Sequence, residues 1–201
     1  MISTTDVYRK VVLPKVGWPV IPVLVLPDQP GVQGGPRYIQ DTSDVIDELE
    51  RLHPTPSVLP AAAEQRLACY LAELLADQWL NLPAMYYRWL FPEQRPFLEN
   101  EWGAMMAPEA LPAERLAAAR QSMKQFANAA TSLGATAETA AAIESSFEAL
   151  LDLLSAHFLD GHEYLLGAAP TLADFAMMGP LYAHLLRDPV SALPQFSPSP
   201  V

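Results

Sequence analysis

Apolar and polar positions follow two different rhythms along this chain, and the change from one to the other falls near residue 60. Residues 20 to 27, Val-Ile-Pro-Val-Leu-Val-Leu-Pro, are an apolar, partly β-branched run that ends at Pro27-Asp28-Gln29-Pro30-Gly31, the pattern of a buried strand entering a turn. Pro22 lies inside that run. It has no N–H for a strand ladder, so it requires an edge position, a bulge or a cis peptide. Residues 37 to 40 predict a second strand, antiparallel to the first across a loop that holds Gly31, Gly34 and Gly35. Directly after it, Asp41-Thr42-Ser43-Asp44 supplies capping oxygens, and Val45, Ile46, Leu49 and Leu52 recur at helical spacing as far as His53-Pro54.

Residues 54 to 63 read as a linker rich in Pro and small side chains, and from Glu64 onward the pattern is helical only. Leu67, Leu71, Leu74, Leu75 and Leu82 keep a helical period that is expected to stop at Pro83. An Ala-rich helix is predicted over residues 113 to 133, between Pro112 and Gly134. Ile143, Phe147, Leu150, Leu151, Leu154 and Phe158 form one stripe of a further helix, ended by Asp160-Gly161. The last helix opens at Thr171-Leu172-Ala173-Asp174, a capping box in which Asp174 takes the usual place of Glu. Phe175, Met178, Tyr182 and Leu185 are expected as its apolar face, with a kink at Gly179-Pro180. Residues 188 to 201 have no helical period and are expected to be a disordered tail. The fold class predicted is α+β, mostly α. A β-β-α unit occupies residues 1–53, a linker 54–63, an all-α bundle 64–187 and a tail 188–201.

Composition narrows the choice of partners. Twelve Lys and Arg face 23 Asp and Glu, a formal charge of −11, which argues against nucleic acid and against anionic membrane surfaces. There is no run of roughly 20 apolar residues and no basic flank leading into an apolar stretch, so a cytoplasmic location is expected. Cys69 is the single cysteine and is read as a buried structural thiol, with Arg66 its nearest basic neighbour in sequence. His53, His157, His162 and His184 have no metal-ligand spacing; His157 and His162, five apart across a helix end, are expected on different faces, so no metal is predicted. The segment from Trp79 to Trp89 is aromatic and contains Arg88. Its Tyr86, Tyr87 and Trp89 either pack around Pro83 or line a pocket for a hydrophobic substrate.

Three local patterns then occur in a telling order. Val20-Ile21-Pro22-Val23-Leu24 looks like an xVPVL strand, Gln40-Asp41-Thr42-Ser43-Asp44 like a Glu-Ser helix start, and Thr171-Leu172-Ala173-Asp174 like a Ser/Thr-x-Ala-Asp box. Together they resemble the glutathione S-transferase superfamily over roughly residues 8 to 187. The resemblance implies a partial thioredoxin-like domain followed by a helical domain, glutathione as ligand, a hydrophobic electrophile as second substrate, and a homodimer. A cis proline at the head of a strand would leave the N–H and C=O of Ile21 to an extended ligand, in that family the cysteinyl part of glutathione. Asp41 and Thr42 offer a carboxylate, a hydroxyl and helix N-terminal N–H groups suited to the γ-glutamyl end, or serve only as a helix cap.

The departures are equally specific. The Tyr, Ser or Cys that activates the thiol in that family would lie upstream of Met1, so no catalytic residue is assigned here. That points to a start placed too late or a truncated product, and it keeps open a non-catalytic binding module or a remnant. Trp18-Pro19-Val20 lacks the Lys or Gln that the family often places before its Val-Pro, and Lys15 is the nearest cation. Thr42 replaces the usual Ser but keeps the hydroxyl.

Overall fold

The computed structural model describes residues 8–18, 21–27 and 35–191, and the chain divides into two units, residues 1–57 and 58–201. In the first unit a π-helical turn, Tyr8–Val12, runs into the short helix α1 (Leu13–Val16), which ends on Gly17 at φ 77°. Strands β1 (Val23–Leu26) and β2 (Arg37–Gln40) pair antiparallel, with Val23 opposite Gln40 and Leu26 opposite Arg37. The ladder thus begins after Pro22, which has no N–H to give it, rather than at residue 20. The Ile21–Pro22 peptide is cis. Val20, the turn residues 28 to 30, and Gly31 and Gly34 lie outside the described residues. Two strands alone are marginal in water. Helix α2 (Thr42–Leu52) steadies them through Glu48, which bonds Arg51 on its own helix (Nη2 to Oε1 2.6 Å) and pairs with Arg37 of β2. The two guanidiniums, Arg51 foremost, hold the Glu48 carboxyl down at about 2.

The second unit is helical. Helix α3 (Ala63–Leu74) widens into a π turn over Leu75–Trp79, and α4 (Asn81–Trp89) continues directly from it. The expected stop at Pro83 does not occur. Leu80 N–H reaches back five residues to the Leu75 carbonyl, at 3.0 Å, and this resets the register so that Pro83 falls in the first turn of α4. An N–H is dispensable there. Helix α5 (Arg95–Met106) follows a single 3-10 turn and was not marked by any apolar period, because Pro96 and polar residues open it. Helices α6 (Pro112–Ser132) and α7 (Ala140–Leu159) match their predicted spans to within a few residues. Helix α8 (Leu172–Pro180) passes into a π turn over Leu181–Leu186. Among the described residues no helix is long and apolar enough to cross a membrane.

The main core gathers Leu80, Ala84, Tyr86, Tyr87, Ile143, Phe147, Met177 and Leu185. Completely burying a side chain such as Phe147 contributes about 1.5–3 kcal/mol. Two expected faces need correction. On α7, Ile143 and Phe147 are buried but Phe158 is exposed. On α8 and the π turn after it, Phe175, Met178 and Tyr182 are 55%, 60% and 61% exposed, while Leu172, Ala173 and Met177 point inward. That segment is apolar nearly all round, so period alone does not choose its inward face.

A smaller core of Leu98, Ala119 and Met123 joins α5 to α6, where Gly103 is buried. A Cβ on Gly103 would stand 3.1 Å from the Arg115 carbonyl oxygen and 3.2 Å from the Arg115 Cβ. Gly103→Val is therefore expected to lower unfolding free energy by about 1–3 kcal/mol, since overpacking outweighs the helix propensity gained. Chemical denaturation measures this. A variant at least as stable as the parent would show that the two helices are not this close.

Candidate functional site

The four residues singled out for ligand binding lie in the first unit. Because Val23 faces Gln40, Pro22 and Asp41 stand one step beyond the same end of the ladder. Ile21 precedes the ladder and is exposed. Asp41 is, among the described residues, the one non-glycine at positive φ, with φ 86° and ψ 137°. Such a backbone costs about 1–3 kcal/mol and concentrates at ligand clamps and active sites. The Asp41 carboxylate accepts from Ser43 N–H at 3.0 Å, so it does cap α2, and Thr42 stands exposed at the first helical position. Gln40 donates from Nε2 to the Trp18 carbonyl at 2.8 Å, joining the segment before β1 to the end of β2.

The aromatic segment divides. Tyr86 and Tyr87 are core residues whose rings meet edge to face at 5.0 Å. Tyr86 Oη donates to Glu144 Oε1 at 2.6 Å. Burial first, then the Glu144 hydrogen bond, raises the Tyr86 phenol above its ordinary range. Burial pushes Tyr87 up to about 12, so neither ring ionises near neutrality. Trp89 instead faces a cleft of about 370 Å³. Thr171 and Asp174 form a structural cap: Asp174 Oδ2 accepts from the Thr171 N–H at 2.8 Å, and its Oδ1 accepts from Leu165 N–H at 2.8 Å. Cys69 is buried in the second unit, where its Sγ accepts from Ala173 N–H at 3.2 Å.

His157 and His162 do meet, contrary to their expected separation. Gly161 at φ 94° turns the chain back and stacks the two rings 4.4 Å apart and 14° from parallel. His157 Nε2 donates to the Tyr164 carbonyl at 3.0 Å. Among the described residues no cluster of three or more His, Cys, Asp or Glu could hold a metal ion. His53 is the exposed residue that ends α2.

Among the described residues one buried ion pair follows from no sequence period. Arg88 grips Asp188 with both arms of its fork, Nε to Oδ2 at 2.6 Å and Nη2 to Oδ1 at 2.7 Å. Asp188 is 1% exposed, and Ser191 Oγ donates to its backbone carbonyl. Residues 188 to 191 are thus fixed rather than part of a tail, because the carboxylate draws them onto α4; residues 192 to 201, the rest of that expected tail, lie outside the described residues. A hundred residues separate the two charges, so no local period could pair them. No protein-family model matches the chain, and no curated protein matches it in sequence. The described residues form a small two-stranded sheet and are otherwise mostly helical.

His184 lies beside this pair, with a buried Nδ1 that has no hydrogen-bond partner. Burial foremost, with Arg88 adding to it and Asp188 opposing, lowers its pKa from 6.5 to about 4. Between those values the unfolded chain holds a proton that the folded chain does not, so stability falls as pH drops from 6.5 toward 4. The stability difference between the parent and His184→Gln, measured by denaturant titration, should move against the parent across that interval. A difference that stays constant from pH 7 to 4 would show that His184 titrates normally.

Proposed function

We propose that the β-β-α unit recognises glutathione, as part of a glutathione S-transferase-like protein that joins the tripeptide's sulfur to a hydrophobic electrophile. The observation that carries this reading is the position of Asp41. It combines a strained backbone, a carboxylate and the start of an 11-residue helix at the end of the ladder where Ile21 and Pro22 also lie. The Asp41 carboxylate suits the γ-glutamyl ammonium. The first N–H groups of α2 and the Thr42 hydroxyl suit the neighbouring carboxylate, which the helix dipole also favours. The main chain at Ile21 suits the N–H and C=O of the cysteinyl residue.

In the transfer itself a glutathione thiolate attacks the electrophilic carbon. A C–S bond forms, and the displaced group leaves with its electron pair. The family resemblance calls for a hydroxyl or thiol from the preceding strand to hold that thiolate, and the residues named here supply recognition only.

Calorimetric titration of the full chain with glutathione tests the proposal. A charge-assisted hydrogen bond contributes about 1.5–3 kcal/mol, so Asp41→Ala should weaken binding roughly 10- to 100-fold. Asp41→Asn keeps a good cap, so it should retain the melting temperature while losing affinity. If Asp41→Ala alters only stability, Asp41 is a cap and the recognition reading fails; it fails equally if the parent protein does not bind glutathione. Binding without conjugation of an aryl halide would select the non-catalytic module instead.

A further inference from the structure

Helix α7 carries an arrangement of charge that works against its own stability. Glu144, Glu148 and Asp152 follow one another four residues apart along one face, and like charges at that spacing repel. No Lys or Arg occurs between residues 125 and 186 to offset them. Among the described residues none of the three carboxylates forms an ion pair. Glu148 and Asp152 are exposed and Glu144 is half-buried, so the row opens to solvent along its length.

An independent observation on α4, which packs against α7, falls at the same place. Tyr87 is 5% exposed, with its ring fixed between Tyr86, Phe91 and Phe147, yet its hydroxyl has no hydrogen-bond partner among the described residues. Glu144 and Glu148 stand close enough to that hydroxyl to add to burial in keeping it protonated. Tyr86 differs, because its Oη donates to Glu144 Oε1 at 2.6 Å and so orients that carboxylate. Two carboxylates and a neutral phenol oxygen therefore gather at one spot as hydrogen-bond acceptors, with no cation among them. None of these residues lines the cleft beside Trp89.

We propose that this face of α7 binds aliphatic di- and polyamines, with one ammonium held by Glu144, Glu148 and the Tyr87 hydroxyl and a second by Asp152. An ammonium offers donors only, and this face offers it acceptors. Four residues of helix advance about 6 Å, the span of two ammonium groups joined by a four-carbon chain. A hard divalent cation is less well served, since it calls for a compact shell of oxygens, and among the described residues no cluster of three or more His, Cys, Asp or Glu could supply one. Bound amine also relieves the repulsion along the row. This site is separate from the glutathione reading and stands whether or not that reading survives.

The test is calorimetric titration of the full chain with spermidine at about 0.1 M salt, where exposed charges more than roughly 10 Å apart are screened. One saturable site is expected, with n-butylamine, which has a single ammonium, at least about tenfold weaker. Glu144→Gln/Glu148→Gln should raise the spermidine Kd about tenfold or more. Glu64→Gln/Glu109→Gln removes the same charge at exposed positions elsewhere and should change it less than about twofold. Tyr87→Phe should raise the Kd about threefold or more while it holds the melting temperature, because the hydroxyl it removes has no partner in the protein. Should the double variant not fold, Glu148→Gln alone makes the same comparison with a smaller expected loss. No saturable spermidine binding, equal losses in the two neutralised pairs, or an unchanged Kd in Tyr87→Phe would each overturn the proposal. So would butylamine binding as tightly as spermidine, or magnesium chloride displacing spermidine at equal concentration, which marks a counter-ion atmosphere.

Discussion

The helical unit depends on one buried contact between opposite charges, the Arg88 guanidinium and the Asp188 carboxylate. Removing either partner of such a pair strands the other and costs about 3–5 kcal/mol, whereas the intact pair contributes little net stability because both charges had to leave water. Its value is therefore in specifying a position. Arg88 stands between Tyr87, in the main core, and Trp89, beside the smaller one. By holding Asp188 it brings the end of the described chain onto α4, and Val190 N–H also reaches Gln94 Oε1, in the 3-10 turn Pro92–Gln94 that follows, at 3.1 Å. Both cores and the closing turn share that single anchor.

The second recurring device is the π turn placed next to proline. Before Pro83 and after Pro180, a widened turn shifts the hydrogen-bond register, and the helical path continues where proline would otherwise end it. Strands and helices set by local rhythm were therefore legible in the sequence: β2, α2 and the bounds of α6 and α7. The passage through Pro83 was not, since proline rules describe a regular helix. Nor was the inward face of α8, where Met177 and Met178 are equally apolar and only the packing of Leu172 and Ala173 against α3 decides between them.

The candidate binding site was legible for the same local reason. Residues 21, 22, 41 and 42 flank two short strands, and the ladder register alone sets Pro22 and Asp41 at one end. What the sequence did not reveal was the positive φ of Asp41, a property of the junction between β2 and α2. Side chains that act across long separations were illegible. Arg88 finds its partner a hundred residues on, with no motif shared between them. Of Tyr86, Tyr87 and Trp89, expected either to pack or to line a pocket, the two tyrosines are buried in the core and Trp89 lines a cleft.

Cys69 has one further consequence. It is the chain's sole cysteine, it is fully buried on α3, and the N–H that bonds its sulfur belongs to the first turn of α8. A thiol reagent reaches that sulfur only when α8 lifts away from α3. The molecule thus carries a built-in reporter of its own breathing: the rate at which Cys69 is labelled counts the openings of one defined helix junction, with no other thiol to confuse the signal.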